Sequence, residues 1–251
     1  MKTLIGSSAA QIHFPEFRNP QDVDYHTSDP DEVDADGDIF YHPYLALWDW
    51  GEVATVDELY TMKVSHAFWE IENSWQKHMN DIVFFQRNGA EFIRELYDIL
   101  ILIWKEIHPP KVTSLAQNAK NFFGDAVERK YDHDSVHDSI AYGDHALYED
   151  ILVPGEEVMV DSSKFWAMDH DTKIKLVREE VYATALERLV IPSDYTYSPS
   201  RAYAWALQRT ITSLFKGEWA LFVVLNYDEL ARPDVNYVQR HLDNADKLIL
   251  L

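Results

Sequence analysis

Two groups of residues in this 251-residue chain have the types and spacing of reaction chemistry. The first is Gly6-Ser7, followed by Asp22-Val23-Asp24-Tyr25. A glycine after a strand lets the backbone approach a phosphate closely, and a helix that starts there offers free N–H donors and a positive dipole end. Aspartates at i and i+2 of a strand point to one face, where both carboxylates can hold one hard cation. Phosphate and cation would then meet at one place; the plain alternative is an ordinary turn and two solvated strand-end aspartates. The second group is Tyr131-Asp132-His133-Asp134-Ser135-Val136-His137-Asp138. On a helix His133 and His137 share a face and could bind one cation, with Asp134 as ligand or as orienting group. The cluster lacks the glutamate of a zinc-protease motif, so it does not imply peptide hydrolysis. Its plain alternative is a polar helix start capped by Asp132 or Asp134, with the histidines facing water.

Other charged positions are weaker candidates. Glu180, Glu187 and Arg188 lie on an otherwise apolar amphipathic stretch, where mutual pairing is the simplest reading. Arg209 and Lys216, seven apart, could meet phosphate oxygens or lie on the surface. The rhythm Glu32-x-Asp34-x-Asp36-Gly37 opens like a calcium loop, but its twelfth position is Pro43, so an acidic loop is expected instead. Tyr25, Tyr41 and Trp48 could stack on a base if the Asp-x-Asp strand borders a pocket.

The elements that must position these groups follow from hydrophobic periodicity. A short strand at 3–5, a helix through 9–14 and a second strand around Val23 are expected first. A polar loop over 28–38 comes next, then an aromatic β-compatible run in which Pro43 marks an edge or a bend. Thr55, with Glu58 three residues on, has the form of a capping box that opens a helix, and a second helix begins at Trp75. Asn88-Gly89 reads as a turn. From there nearly every segment is helical: 92–107, stopped by Pro109-Pro110, then 114–129, 135–150, 172–190, 200–216, 218–230 and 235–244. The reading is an α+β protein with an α/β part over 1–88 and a larger, mainly α-helical part over 89–251.

Composition bounds the function. With 47% hydrophobic residues the chain can bury a core, and the longest apolar run, Ile99 to Trp104, is far too short to cross a bilayer. The expectation is a cytoplasmic protein without a membrane partner. Cysteine is absent, which excludes disulfides and thiolate metal sites. With 22 Lys plus Arg against 43 Asp plus Glu, the formal charge is −21, which disfavours binding of long nucleic acid. A small phosphorylated substrate stays compatible, because a divalent cation reverses the local field.

The Gly6-Ser7, Asp22-x-Asp24 arrangement resembles the nucleotidyltransferase superfamily with its polymerase-β-like fold. There a hydrophobic residue and Gly-Ser or Gly-Gly precede a short helix and an Asp-x-Asp strand. Downstream, Leu59 and Lys63, then Lys77, His78, Asp81 and Ile82, resemble the Leu-x-x-x-Lys and Lys-(Asp or His)-x-x-Asp-Ile segments of small nucleotidyltransferase-like proteins. The resemblance covers about the first third of the chain. It implies a third carboxylate on a later strand, for which Asp38, Asp49 and Glu52 are candidates. His133-Asp134 is similar to the doublet of the His-Asp phosphohydrolases, which implies His66 or His78 as an upstream ligand. The whole pattern resembles proteins of large DNA bacteriophages, in particular the phage deoxyribonucleoside-5′-monophosphatase family.

These resemblances imply a metal-dependent phosphohydrolase acting on small nucleotides, a 5′-nucleotidase that releases phosphate from deoxynucleoside monophosphates. In this reading Gly6, Ser7, Lys63, Lys77 and Arg209 bind substrate, and Asp22 and Asp24 hold Mg or Mn. His133, Asp134 and His137 complete the metal site or supply an acid, and water attacks the phosphate. Nucleotidyl transfer from a triphosphate to an acceptor, and nucleotide binding without catalysis, are the alternatives.

Overall fold

A computed structural model describes residues 1–34, 37–68, 75–107, 166–175, 203–208 and 218–232, with positions 177, 178, 181, 185 and 211. The chain combines helices with a small sheet and is therefore of the α+β class. It divides into two compact units, Met1–Pro110 and Lys111–Leu251.

In the first unit the sheet has three strands, β1 (Lys2–Leu4), β2 (Tyr25–Thr27) and β3 (Ile39–Tyr41), in the order β1-β2-β3. β1 and β2 are antiparallel with Leu4 opposite Tyr25, and β2 and β3 are parallel with Tyr25 opposite Ile39. On its other side Leu4 bridges to Val53, donating to the Glu52 carbonyl and accepting from the Ala54 N–H. Helix α1 (Gly6–His13) leaves the end of β1 directly. The Asp-x-Asp pair was expected on a strand around Val23, but the ladder begins only at Tyr25. Asp22, Val23 and Asp24 form its approach, with Val23 48% exposed.

Helix α2 (Val56–His66) starts at the capping box read from the sequence. Glu58 N–H donates to Thr55 Oγ1 at 3.3 Å, and Thr55 N–H donates to Glu58 Oε2 at 2.7 Å. The same carboxylate accepts from Trp48 Nε1 at 2.7 Å, so one buried Glu58 ties the preceding loop to the helix start. α2 packs on both α3 (Trp75–Arg87) and α4 (Arg94–Ile107). Their shared core contains Leu59, Val64, Met79, Ile82, Phe85, Leu96 and Leu100. Phe14 and Phe17 at the end of α1 meet Phe84 and Phe85 of α3 edge-on or tilted, which anchors the sheet layer to the helices. Gly89, at φ +78°, ends α3 as expected. The first unit nonetheless runs past the boundary expected after Asn88, because α4 buries its apolar face against α2.

In the second unit, residues 170–175 are helical behind Asp169, whose carboxylate accepts from Thr172 N–H at 2.8 Å and Thr172 Oγ1 at 2.7 Å. Helices α5 (Glu218–Leu225) and α6 (Tyr227–Leu230) replace the single helix expected over 218–230, with Asn226 between them. Tyr203 Oη donates to the Leu230 carbonyl at 2.8 Å and joins residues 203–208 to the end of α6. Among the described residues no helix is long and apolar enough to cross a membrane.

Candidate functional site

A cavity of about 310 Å³ opens in the first unit where β1, α1 and the approaches to β2 and β3 face α2, α3 and α4. Gly6, Ser7, Asp22, Asp24, Lys63 and Lys77 all border it. The sequence singled these residues out from segments far apart in the chain, and folding brings them to one space.

Gly6 has φ +68°, a conformation that L side chains rarely adopt. A Cβ added there would run into Asp24 Oδ2. The glycine expected to admit a phosphate therefore also admits a carboxylate. Ile5 N–H donates to the Asp24 carbonyl at 2.9 Å, which locks that approach in place.

Of the candidates for a third carboxylate, Asp38 borders the cavity and Asp49 and Glu52 do not. Sheet register explains the selection. Tyr25 N–H donates to the Asp38 carbonyl at 2.8 Å, and extending the Tyr25–Ile39 pairing back by one residue sets Asp24 beside Asp38. Asp34 fixes the loop before it: its Oδ1 accepts from Gly37 N–H at 2.9 Å and Ile39 N–H at 3.2 Å. The acidic rhythm read as an open loop is thus partly a backbone brace. Burial, with the neighbouring carboxylates of Asp22 and Asp38, pushes the Asp24 carboxyl above the usual range, and Lys63 and Lys77 pull it back.

The opposite charge comes from α2, α3 and the segment after α1. Lys63 Nζ lies 3.2 Å from Asp81 Oδ2. Arg18 grips the same carboxylate with two hydrogen bonds, Nε to Oδ1 at 2.8 Å and a terminal nitrogen to Oδ2 at 2.9 Å. Burial alone would raise the Asp81 carboxyl, but the Arg18 hydrogen bonds and the two cations outweigh it and hold it below the usual range. Burial pulls the Lys63 ammonium down against the pull of Asp81. Arg18 also borders the cavity, and no sequence signal marked it. Asp81 was visible only as part of a motif.

His66 and His78, expected as alternative upstream metal ligands, both border the cavity and face each other, with ring centroids 5.2 Å apart. His66 Nδ1 lies 2.6 Å from the Met62 carbonyl, and Trp104 meets the His66 ring edge-on. Burial, reinforced by Lys63, lowers them to about 3 and about 4, so both imidazoles are neutral at physiological pH. Trp104 joins Leu100, Ile103 and Ile107 on an apolar stretch of the cavity wall supplied by α4. Of the aromatic residues considered for base stacking, Tyr25 borders the cavity, whereas Trp48 is engaged with Glu58 and Tyr41 lies elsewhere.

The donor set suits a hard divalent cation in kind and in sign: carboxylate oxygens, one of which burial and its acidic neighbours hold above the usual range. Among the described residues, no three His, Asp or Glu side chains converge on a single point. Asp22 and Asp24 are the pair that could hold such an ion, and Asp38 borders the same cavity at the adjoining strand. His133, Asp134, His137 and Arg209 lie outside the described residues, as do Glu180, Glu187, Arg188 and Lys216.

The chain belongs to the family described as Domain of unknown function (DUF7275), which matches residues 58–243. That span takes in Lys63, Lys77 and Asp81 but begins after Gly6 and the three aspartates. No curated protein and no solved structure matches the chain.

Proposed function

We propose that this DUF7275 chain acts on the phosphates of a small nucleotide with the help of Mg or Mn, and that nucleotidyl transfer is the reaction its first unit supports best. One observation carries the reading: Asp22, Asp24 and Asp38 border the same cavity as Lys63 and Lys77, beside a glycine that only a missing side chain lets Asp24 approach. The 5′-nucleotidase expected from the sequence is the alternative; an Asp38 carboxylate bordering the cavity beside Asp24 supports transfer over it, and the His133 cluster lies outside the described residues.

In this mechanism Lys63, Lys77 and Arg18 bind the phosphoryl oxygens. Gly6 and Ser7 at the start of α1 border the same space, where the unpaired N–H groups of a helix start would add partial positive charge. Asp22 and Asp24 hold the cation, which when bound offsets charge on the phosphate. Asp38 accepts the proton of an acceptor hydroxyl as its oxygen bonds to the α-phosphorus and the bond to pyrophosphate breaks. The α4 wall of Leu100, Ile103 and Trp104 offers an apolar surface to the base or the acceptor.

The test is a product assay on the full chain with Mg²⁺ or Mn²⁺. Nucleoside triphosphates with candidate acceptors should release pyrophosphate, and Asp24→Asn or Asp38→Asn should reduce it at least about a hundredfold. Asp49→Asn should leave it unchanged. Phosphate from deoxynucleoside monophosphates, without pyrophosphate, restores the 5′-nucleotidase reading. Nucleotide binding with neither product leaves a binding protein, and absence of binding refutes the assignment.

A further inference from the structure

Arg18, Lys63 and Asp81 come from three separate segments and meet in one cluster around a buried carboxylate. The Asp81 side chain is 3% exposed and does not border the cavity, whereas Arg18 and Lys63 both do. A carboxylate behind the wall thus holds two cations that stand in it. The geometry is specific: Asp81 meets Arg18 through two parallel hydrogen bonds, and its Oδ2 is shared with Lys63 Nζ. A guanidinium has five N–H donors and an ammonium three, so both side chains keep donors beyond those Asp81 takes. Two positive charges on one negative leave the cluster cationic on the cavity side, and Lys77, one turn before Asp81 on α3, adds to it.

We infer that Asp81 is a positioning residue, which grips Arg18 and Lys63 from outside the cavity and so holds their remaining donors where phosphate oxygens bind. This rests on the reading that the cavity takes phosphates, and adds how the wall that binds them is held. A purely structural brace would stabilise the first unit without changing the affinity of the folded protein. A positioning residue sets that affinity through its two partners, so its effect and theirs overlap.

Inorganic pyrophosphate with excess Mg²⁺ is the probe, titrated calorimetrically into the full chain, with near-ultraviolet circular dichroism as the check on folding. Asp81→Asn should weaken binding by at least about tenfold, Asp81→Glu by less, and Lys63→Met by an amount similar to Asp81→Asn. The double variant Asp81→Asn, Lys63→Met should be little worse than either single change, because both remove the same arrangement. Arg18→Gln, at a partly exposed side chain, should fold and lose about five- to tenfold. Unchanged affinity in a folded Asp81→Asn, or losses that add fully in the double variant, overturns the inference and leaves the phosphate reading standing. Should Asp81→Asn not fold, wild-type affinity in Arg18→Gln overturns it in the same way. If the wild-type protein does not bind pyrophosphate, the phosphate reading fails and this inference falls with it.

Discussion

Replacing Gly6 by alanine tests the packing of the acidic site directly, because two other glycines supply the control. Gly6, Gly37 and Gly89 all have positive φ, at 68°, 84° and 78°. Around Gly37 and Gly89 a new Cβ would meet nothing within 4 Å, whereas at Gly6 it collides with Asp24. All three alanine variants pay the backbone term, about 1–2 kcal/mol for a left-handed residue with a side chain. Gly6→Ala adds the displacement of a partly buried carboxylate whose backbone is tied to Ile5, an overpacking cost of about 1–3 kcal/mol. Thermal melts should therefore place Gly89→Ala about 4–8 °C below wild type and Gly6→Ala lower by at least as much again. Mn²⁺ affinity, followed by paramagnetic relaxation of water protons, should fall about tenfold or more in Gly6→Ala and stay unchanged in Gly89→Ala. If the two variants melt together and bind Mn²⁺ alike, Asp24 does not rest against Gly6, and the acidic site as described here is wrong.

Acid should weaken the protein well above the carboxylate range. Burial holds His26 at about 4, His66 at about 3 and His78 at about 4, so the folded chain keeps them neutral while the unfolded chain protonates them from about pH 6.5 downward. This stability is complete above pH 6.5 and is lost as pH falls toward 4. Between pH 7 and pH 5 the three should withdraw about 4 kcal/mol after allowance for solvent screening, read as a lower urea midpoint by tryptophan fluorescence; an unchanged midpoint contradicts it. Glu58→Ala should cost about 2–3 kcal/mol by removing the glutamate half of the capping box and leaving the Trp48 and Thr55 N–H groups unpaired. Glu58→Gln should recover most of that loss, and a deficit under about 0.5 kcal/mol in the alanine variant would count against the shared role of this carboxylate.

What the sequence made legible was local. The capping box of Thr55 and Glu58 lies within four residues and needs no tertiary partner, and α2 begins where it says. Gly6, Ser7 and the two aspartates, singled out by type and spacing, border one cavity, but their strand was placed too early. Val23 between two aspartates looks like an inward β residue, while the true start of the ladder is set by the pairing of Leu4 with Tyr25 across the sheet. Asp38 was indistinguishable from Asp49 and Glu52 for the same reason: only the parallel register of β2 and β3 selects it. Lys63 and Asp81 were visible as motif residues, but Arg18 and the contact that joins the three were hidden, since a contact between residues 63 positions apart leaves no periodic trace. The boundary expected at Asn88 marked a helix end, not the limit of a core. The turn was real, but the hydrophobic face that follows it belongs to the core already begun.

The two hydrogen bonds that Asp34 makes to the backbone at Gly37 and Ile39 make the acidic residues of that segment unequal. Replacing Asp31, which is exposed, or Asp34 by alanine shifts the net charge by the same unit, yet only the second removes the acceptor that splints the backbone beside Asp38. In a chain this anionic, tolerance to the loss of acidity should accordingly follow which carboxylate oxygens serve as anchors for the main chain, and counting charges will mislead anyone who tries to rank such variants.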